Sequence, residues 1–367
     1  MGLFVETLSD RLTAAIEAHQ NSIQFDTASF VSMDAVFKCA LRKDPRLLAY
    51  LESYEGNYLT QGIKRSYQIT IKYSPDAPSS ISDVILDSGS WTPAGLYGKA
   101  APFPVRMVTK NPDRIDKLLE QEMDRFIASY EGILGYQLSR TEFGKISEYY
   151  FLNVNYDYIL DIPQISAMRT SAETQARTIW KHILGNAEVA QFALPFLAFS
   201  YLTQECAYDQ RAFDEVADNP RQKPTDPVPS LSYGPLVQKR GICAGFAWAF
   251  KRMMDVKGIP CRCVTGYLKE DKSVGHIWNL VQLNDGSWQH VDATTGIHLD
   301  GVDVSCFMMT DNQMKATHEW DEKLYDVPAR GMNGAYDRVE MYFSANGAKF
   351  LSDGAQKKYM FPDNIYE

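Results

Sequence analysis

The side chains able to do covalent chemistry converge on one stretch of this chain. Cys243 opens the segment RGICAGFAWAFKRMMDVKG, where Cys243, Phe246, Ala247, Phe250, Met253 and Met254 recur at helical spacing and Gly258 can stop the helix. A thiol at a helix start meets unpaired N–H groups and a partial positive charge, and both favour thiolate over thiol. The same N–H groups can stabilise an oxyanion on an attacked carbonyl. Gly241 and Gly245 are expected to keep the surroundings of the thiol uncrowded.

A thiol nucleophile needs a base to take its proton, and that base needs an acceptor to fix its orientation. VGHIWNLVQL reads as a strand with His276 near its start, and SWQHVDATTG as a second strand carrying Asp292. Asn284-Asp285-Gly286 between them is a hairpin signal. Strand side chains alternate faces, so the hairpin register decides whether His276 and Asp292 meet. A two-residue turn at Asp285-Gly286 pairs Asn279 with Asp292 and separates them. A three-residue loop, Asn284 to Gly286, pairs Leu283 with Ser287 and Trp278 with Asp292, leaving Asp292 diagonal to His276 on one face. The chemistry therefore predicts the three-residue loop, with positive φ at Gly286.

Taken singly, Cys243 is a core cysteine more often than a nucleophile, and His276 and Asp292 are ordinary strand residues. Their joint occurrence, in order and with Trp278 and Asn279 between, reverses that balance. His290 is the rival base and is read as a flank of the site. His298 and His318 fall in loop-like sequence and receive no role.

The succession GICAGFAWAFKRMM, GIPCRCVTGYL and GHIWNLVQLNDGSWQHVDAT resembles the transglutaminase-like superfamily of papain-like cysteine acyltransferases and proteases, in its bacterial form. The resemblance implies Cys243 as nucleophile, His276 in a His-x-Trp-Asn stretch as base, and Asp292 in Val-Asp-x-Thr as its partner. It is carried by residues 230 to 320, where CFMMTDNQMKATHEW is similar to the segment closing such domains, and more loosely by 170 to 230. Papain-type members take an oxyanion donor from a glutamine six residues before the cysteine, where Val237 stands here. Gln238 and Tyr233 are the substitutes considered, and Trp278 joins them as a substrate-side residue.

The elements that must position these groups read as α+β. Leu8 to His19 and Met33 to Leu41 have helical periodicity, and GIKRSYQITIKYS alternates, with Ile63, Tyr67, Ile69, Ile71 and Tyr73 on one face. Residues 74 to 105 read as irregular. Asn111-Pro112 then starts a helix with a stripe through Ile115, Leu118, Leu119, Met123, Phe126 and Ile127. KISEYYFLNVNYDYIL alternates with Tyr150, Leu152, Val154, Tyr156 and Tyr158 on one face. Thr170 and Glu173 form a capping box for a helix ending at Gly185. Val189 to Leu202 reads as a buried helix, and DEVADNPRQKPTDPVPSLS as a surface loop. The expected organisation is an N-terminal α+β region, 1–165, and a papain-like, transglutaminase-like catalytic domain, 166–367.

Composition sets the remaining bounds. Lys and Arg total 37 against 46 Asp and Glu, a net charge of -9, which argues against general nucleic-acid or anionic-membrane binding. No run reaches the roughly 20 apolar residues of a membrane span. The start lacks a basic and apolar leader, and Glu6 stands where a myristoylation signal needs Ser or Thr, so the chain reads as cytoplasmic, or as exported after loss of a signal. Six cysteines are too few and scattered for a disulfide scaffold, and Cys261 and Cys263 read as strand packing rather than a metal pair. No metal or organic cofactor is expected, and no calcium loop is visible. The expected activity is thiol-dependent acyl transfer on a peptide or protein amide through a thioester, with water or an amine as acceptor. The alternative is a non-catalytic interaction module binding peptide or carbohydrate through the tyrosine-rich N-terminal strands.

Overall fold

The computed structural model describes residues 2–27, 30–73, 84–86, 105–109, 123–124, 127–141, 150–220, 222–298, 301–325, 327–330, 335–350, 354–362 and 365–366. It divides the chain into two units, Met1–Gln121 with Tyr136–Asp157, and Glu122–Gly135 with Tyr158–Glu367. The division falls a few residues before the expected 165/166 boundary, and a short segment from the N-terminal region belongs with the second unit. Glu131 explains that membership, because it binds Arg252 at 2.9 Å and the backbone N–H of Ser232 at 2.6 Å.

The first unit begins with α1 (Gly2–Glu17), β1 (Ser22–Thr27), α2 (Met33–Lys43), β2 (Leu51–Gln61) and β3 (Lys64–Tyr73), the three strands pairing antiparallel in the order β1-β3-β2. Ser32 caps α2 and Pro45 follows its end. On β3, Tyr67, Ile69 and Ile71 are buried and Gln68, Thr70 and Lys72 exposed, as alternation demands. Ile63 departs from expectation. It sits in the Gly62-Ile63 turn, 86% exposed, because Gln61 already pairs with Lys64. Tyr67 stacks on Phe25 at 5.0 Å and its hydroxyl accepts the Val31 N–H at 2.9 Å, so this tyrosine is a core residue with its polar end satisfied.

A second sheet, β4 (Val84–Leu86), β5 (Val105–Thr109), β6 (Ile133–Thr141) and β7 (Tyr150–Tyr158), has the order β4-β5-β7-β6. β4 corrects the reading of 74 to 105 as wholly irregular: its apolar Val-Ile-Leu pairs in parallel with β5. The rest of that stretch, the helix expected after Asn111-Pro112 apart from Met123 and Ile127, and the side chains of Tyr150, Leu152, Val154 and Tyr156 lie outside the described residues.

The second unit starts with α3 (Ile162–Leu184), which begins earlier than the Thr170–Glu173 signal placed it. Asp161 and Gln164 form the capping box and Pro163 occupies the first turn, while Thr170 sits mid-helix with its hydroxyl on the Ser166 carbonyl at 3.0 Å. Gly185 ends the helix at φ 53°, where a side chain would be strained. α4 (Leu194–Glu205) is buried from Leu194 to Thr203 and runs through the core as expected. α5 (Gln210–Asp218), capped by Asp209, absorbs the head of the stretch read as a loop, and that stretch's tail carries the buried Pro229, Leu231 and Ser232.

α6 (Cys243–Val256) lies against an antiparallel sheet of β8 (Cys261–Leu268), β9 (His276–Gln282), β10 (Trp288–Val291), β11 (Phe307–Met309) and β12 (His318–Glu319), in the order β11-β10-β9-β8-β12. Its apolar face joins Phe196, Phe199, Phe307 and Phe343 through Phe246, Phe250, Met253 and Met254, all essentially buried. Each such side chain contributes roughly 1.5–3 kcal/mol through burial. Cys261 and Cys263 are buried on β8, where burial raises both thiols, that of Cys263 to about 12; they pack the core. Helices and an antiparallel sheet thus share one core in an α+β arrangement. Among the described residues, no helix is long and apolar enough to cross a membrane.

Candidate active site

Cys243 is the first residue of α6. Ile242 before it is extended, donates its N–H to the Pro229 carbonyl at 3.0 Å and offers no side-chain cap. The N–H groups of the first turn therefore have neither a helical carbonyl nor a capping side chain. The glycines here act differently from expectation. A Cβ on Gly245 would lie 2.1 Å from the Pro229 carbonyl oxygen, and one on Gly241 would lie 2.7 Å from Pro235 Cγ. They admit the turn Val228–Ser230 against the helix start instead of opening space around the thiol. Arg240, paired with Asp209 and Asp226, holds the approach to this turn in place.

The hairpin adopts the register the chemistry requires. Gly286 N–H donates to the Leu283 carbonyl at 2.9 Å, Leu283 N–H to the Ser287 carbonyl at 2.8 Å, and Gly286 has φ 83°. The ladder pairs Gln282 with Trp288 and Asn279 with Val291, so one further step sets Trp278 opposite Asp292. His276 and Asp292 then share a face, with Nε2 of the ring 2.8 Å from Oδ2 of the carboxylate. Nδ1 is left as the ring nitrogen for Cys243.

Burial opposes charge on His276, yet the Asp292 carboxylate, its hydrogen bond and the Cys243 side chain outweigh it and raise the ring to about 10. Burial alone would likewise raise Asp292. His276 and His318 overcome that and hold its carboxyl well below the usual range. Both shifts favour the imidazolium–carboxylate form of the pair.

His318, given no role from the sequence, is the unexpected member. Its Nε2 lies 3.2 Å from the same Asp292 Oδ2, and its Nδ1 lies 2.8 Å from Thr317 Oγ1. Leu268 on β8 pairs with His318, which delivers the ring to the buried side of the sheet. Asp292 Oδ1 accepts the Thr294 N–H at 2.9 Å, so both carboxylate oxygens are engaged.

His290 is a flank, as expected. Trp278 Nε1 donates to its Nδ1 at 2.9 Å, which leaves Nε2 to donate to Asp311 at 2.9 Å and fixes a neutral ring. Burial lowers its pKa, in keeping with that tautomer. Trp278 is buried, does not line the cleft and has its only N–H spent on His290, so it is not the substrate-side residue expected. Gln238 is exposed with its carbonyl on Arg240 at 3.1 Å, and Tyr233 packs with Ile159, Ile165 and Leu231. Neither lines the cleft at Cys243. The register of the Gly234–Gln238 π-helix and the left-handed Lys239 turn them away. Asn279 Nδ2 instead bonds the Ala247 carbonyl at 3.0 Å, fastening the histidine strand to the cysteine helix one turn after the thiol.

A cleft of about 270 Å³ opens on Cys243 and His276, walled by Ile127, Tyr130, Val216, Trp248, Tyr267 and Val274. Among the described residues, His276, Asp292 and His318 are the group whose ligand-type atoms converge, within 4.8 Å of one another. The 2.8 and 3.2 Å separations onto a single oxygen are hydrogen bonds, and these use the atoms a metal would take.

Residues 196–293 match the family model of the transglutaminase-like superfamily. Over that span the chain is similar to a transglutaminase-like core. That span contains Cys243, His276 and Asp292 and ends before His318. Among solved structures, the chain is similar to one described as a TGase (13% identity over 69% of this chain and 67% of that one, TM-score 0.30). It is similar also to a putative cysteine protease from Cytophaga hutchinsonii (12%, 44% and 62%, TM-score 0.26). A third is the periplasmic domain of TgpA from Pseudomonas aeruginosa bound to ethylmercury (17%, 41% and 58%, TM-score 0.25). The chain thus spans less than two thirds of the latter two. No curated protein sequence matches it.

Proposed function

We propose that this transglutaminase-like core performs thiol-dependent acyl transfer on peptide or protein amides, with Cys243 as nucleophile, His276 as acid and base, and Asp292 as the group that orients His276. The observation that carries the reading is the 2.8 Å His276–Asp292 contact beside a cysteine on an uncapped helix start. The Cys243 thiolate attacks the amide carbonyl carbon, and the oxyanion is met by N–H groups of the first turn of α6. His276, an imidazolium at the outset, gives its proton to the nitrogen as the C–N bond breaks, releasing an amine and leaving a thioester. The neutral ring then takes a proton from water, or from an amine acceptor, as that molecule attacks the thioester and the thiolate departs. Water gives a protease or deamidase outcome, and an amine gives transamidation.

Hydrolysis with a capacity for transfer is the favoured outcome, since the cleft opens to solvent on one side. The test is intact-mass analysis of a peptide-amide library incubated with the protein, with and without a primary amine, against Cys243→Ala. Cleavage, loss of ammonia or addition of the amine mass, each lost in the variant, supports the reading. No change in any peptide, with Cys243 inert to electrophilic peptide analogues, sinks it and leaves the interaction module.

A further inference from the structure

The cleft that meets Cys243 is mostly apolar; of its neutral hydroxyl groups Ser230, Thr265 and Ser273, the last two are already bonded to Tyr325 and Asp271. Ile127, Tyr130, Val216, Trp248, Tyr267 and Val274 give it an apolar wall. Among the described lining residues Asp124 is the one carboxylate, and no Lys or Arg faces it. Its volume of about 270 Å³ lies just under the roughly 300 Å³ at which drug-sized ligand pockets begin. That is room for a side chain or two of an extended chain, not for a folded surface. Gly275, next to His276, borders the same space, and a Cβ built there meets nothing within 4 Å, so a substrate backbone can approach the histidine strand closely.

From this we infer the class of acyl donor: a peptide amide presenting a bulky apolar residue, and no carboxylate, beside the reacting carbonyl. The inference rests on the acyl-transfer reading above. An apolar side chain leaves water for the Trp248–Val216 wall, whereas a polar one would give up hydration without a partner there. A substrate carboxylate would also face Asp124, with no Lys or Arg among the described lining residues to offset it and with His276 already paired to Asp292.

The experiment compares kcat/KM for matched peptide amides that differ only beside the reacting residue, carrying Leu, Phe, Ser or Asp. The expected order places Leu and Phe at least ten-fold above Ser, with Asp lowest. Val216→Lys should lower the Leu-to-Ser ratio through KM, and Asp124→Asn should raise the Asp-to-Leu ratio several-fold. Cys243 labelling by an electrophilic peptide analogue is measured alongside. Turnover of all four peptides at similar rates, or a preference for Asp, overturns this inference alone. No turnover together with unlabelled Cys243 overturns the acyl-transfer reading and this inference with it.

Discussion

His318 Nε2 lies 3.2 Å from Asp292 Oδ2, the oxygen that His276 Nε2 also approaches, at 2.8 Å. One carboxylate oxygen thus holds two imidazoles, and only His276 lines the cleft. The second ring fixes the direction of the carboxylate and so, at one remove, the ring that faces the thiol.

Removing that support should slow the reaction without abolishing it. His318→Phe is expected to lower kcat by about 10–100-fold, the range seen when outer-shell partners of an oriented histidine are lost. KM should change little, and about 1–3 kcal/mol of stability should go with the lost bond to a buried carboxylate. His318→Gln, which keeps a donor, should recover part of kcat. Equal kcat in wild type and His318→Phe would mean that the contact is idle.

Asp292→Asn should cost about 10⁴-fold in kcat, because an amide no longer favours the imidazolium or its tautomer. The same variant tests the electrostatics through stability. His276 is raised from 6.5 to about 10, so its contribution is complete below pH 6.5 and is lost as pH climbs through 10. Asp292 is depressed, so its contribution is complete above its ordinary 3.8 and fades only in stronger acid. Urea unfolding of wild type at pH 6, 8 and 10 should therefore show stability falling by up to about 1.4 kcal/mol per pH unit beyond pH 6.5. Asp292→Asn should flatten that fall; a slope identical to wild type would contradict the ion pair.

Alkylation should single out one cysteine. Burial raises Cys206 and Cys263 to about 12, and raises Cys261 and Cys306 as well, while Cys243 alone among the buried cysteines borders the cleft. Brief iodoacetamide treatment near pH 7 followed by peptide mapping should find Cys243 modified first. Cys39, which is half-buried, should follow, and the remaining four should wait for denaturant. Modification of Cys306 ahead of Cys243 would count against an activated thiol.

Gly245→Ala should damage far more than a helix-favouring substitution ordinarily does. Alanine improves helix propensity by up to about 1 kcal/mol, yet its methyl would stand 2.1 Å from the Pro229 carbonyl oxygen, which is backbone and cannot rotate away. The expected result is a loss of several kcal/mol, in keeping with an overpacked core. Turnover should fall even in molecules that remain folded, because Cys243 is displaced. An unchanged melting temperature would show that the Pro229 turn is free to yield.

The sequence made the hairpin legible because two independent demands met there: Asn-Asp-Gly chose a turn and the His276–Asp292 chemistry chose its register. The cysteine helix was legible for a similar reason, since its stripe and its candidate nucleophile begin together. His318 was not, because its strand is two residues long and lies 26 positions from Asp292, too short to show alternation. The roles of Gly241 and Gly245 were hidden too, since a glycine that leaves room and one that is crowded look alike until the Pro229 carbonyl is seen. Gln238 was sought by spacing from the cysteine, and the π-helix before Lys239 broke that spacing.

One helix carries both Cys243, the proposed nucleophile, at its first residue, and a share of the central core, through Phe246, Phe250, Met253 and Met254. Segments so embedded open only when the whole fold opens, and their amides are the slowest to exchange with solvent. Cys243 therefore sits at the margin of the most cooperative part of its unit, tied there at Ala247 by Asn279. On heating, Cys243 should lose its place together with the global transition rather than by fraying beforehand, so loss of the proposed activity and melting should coincide.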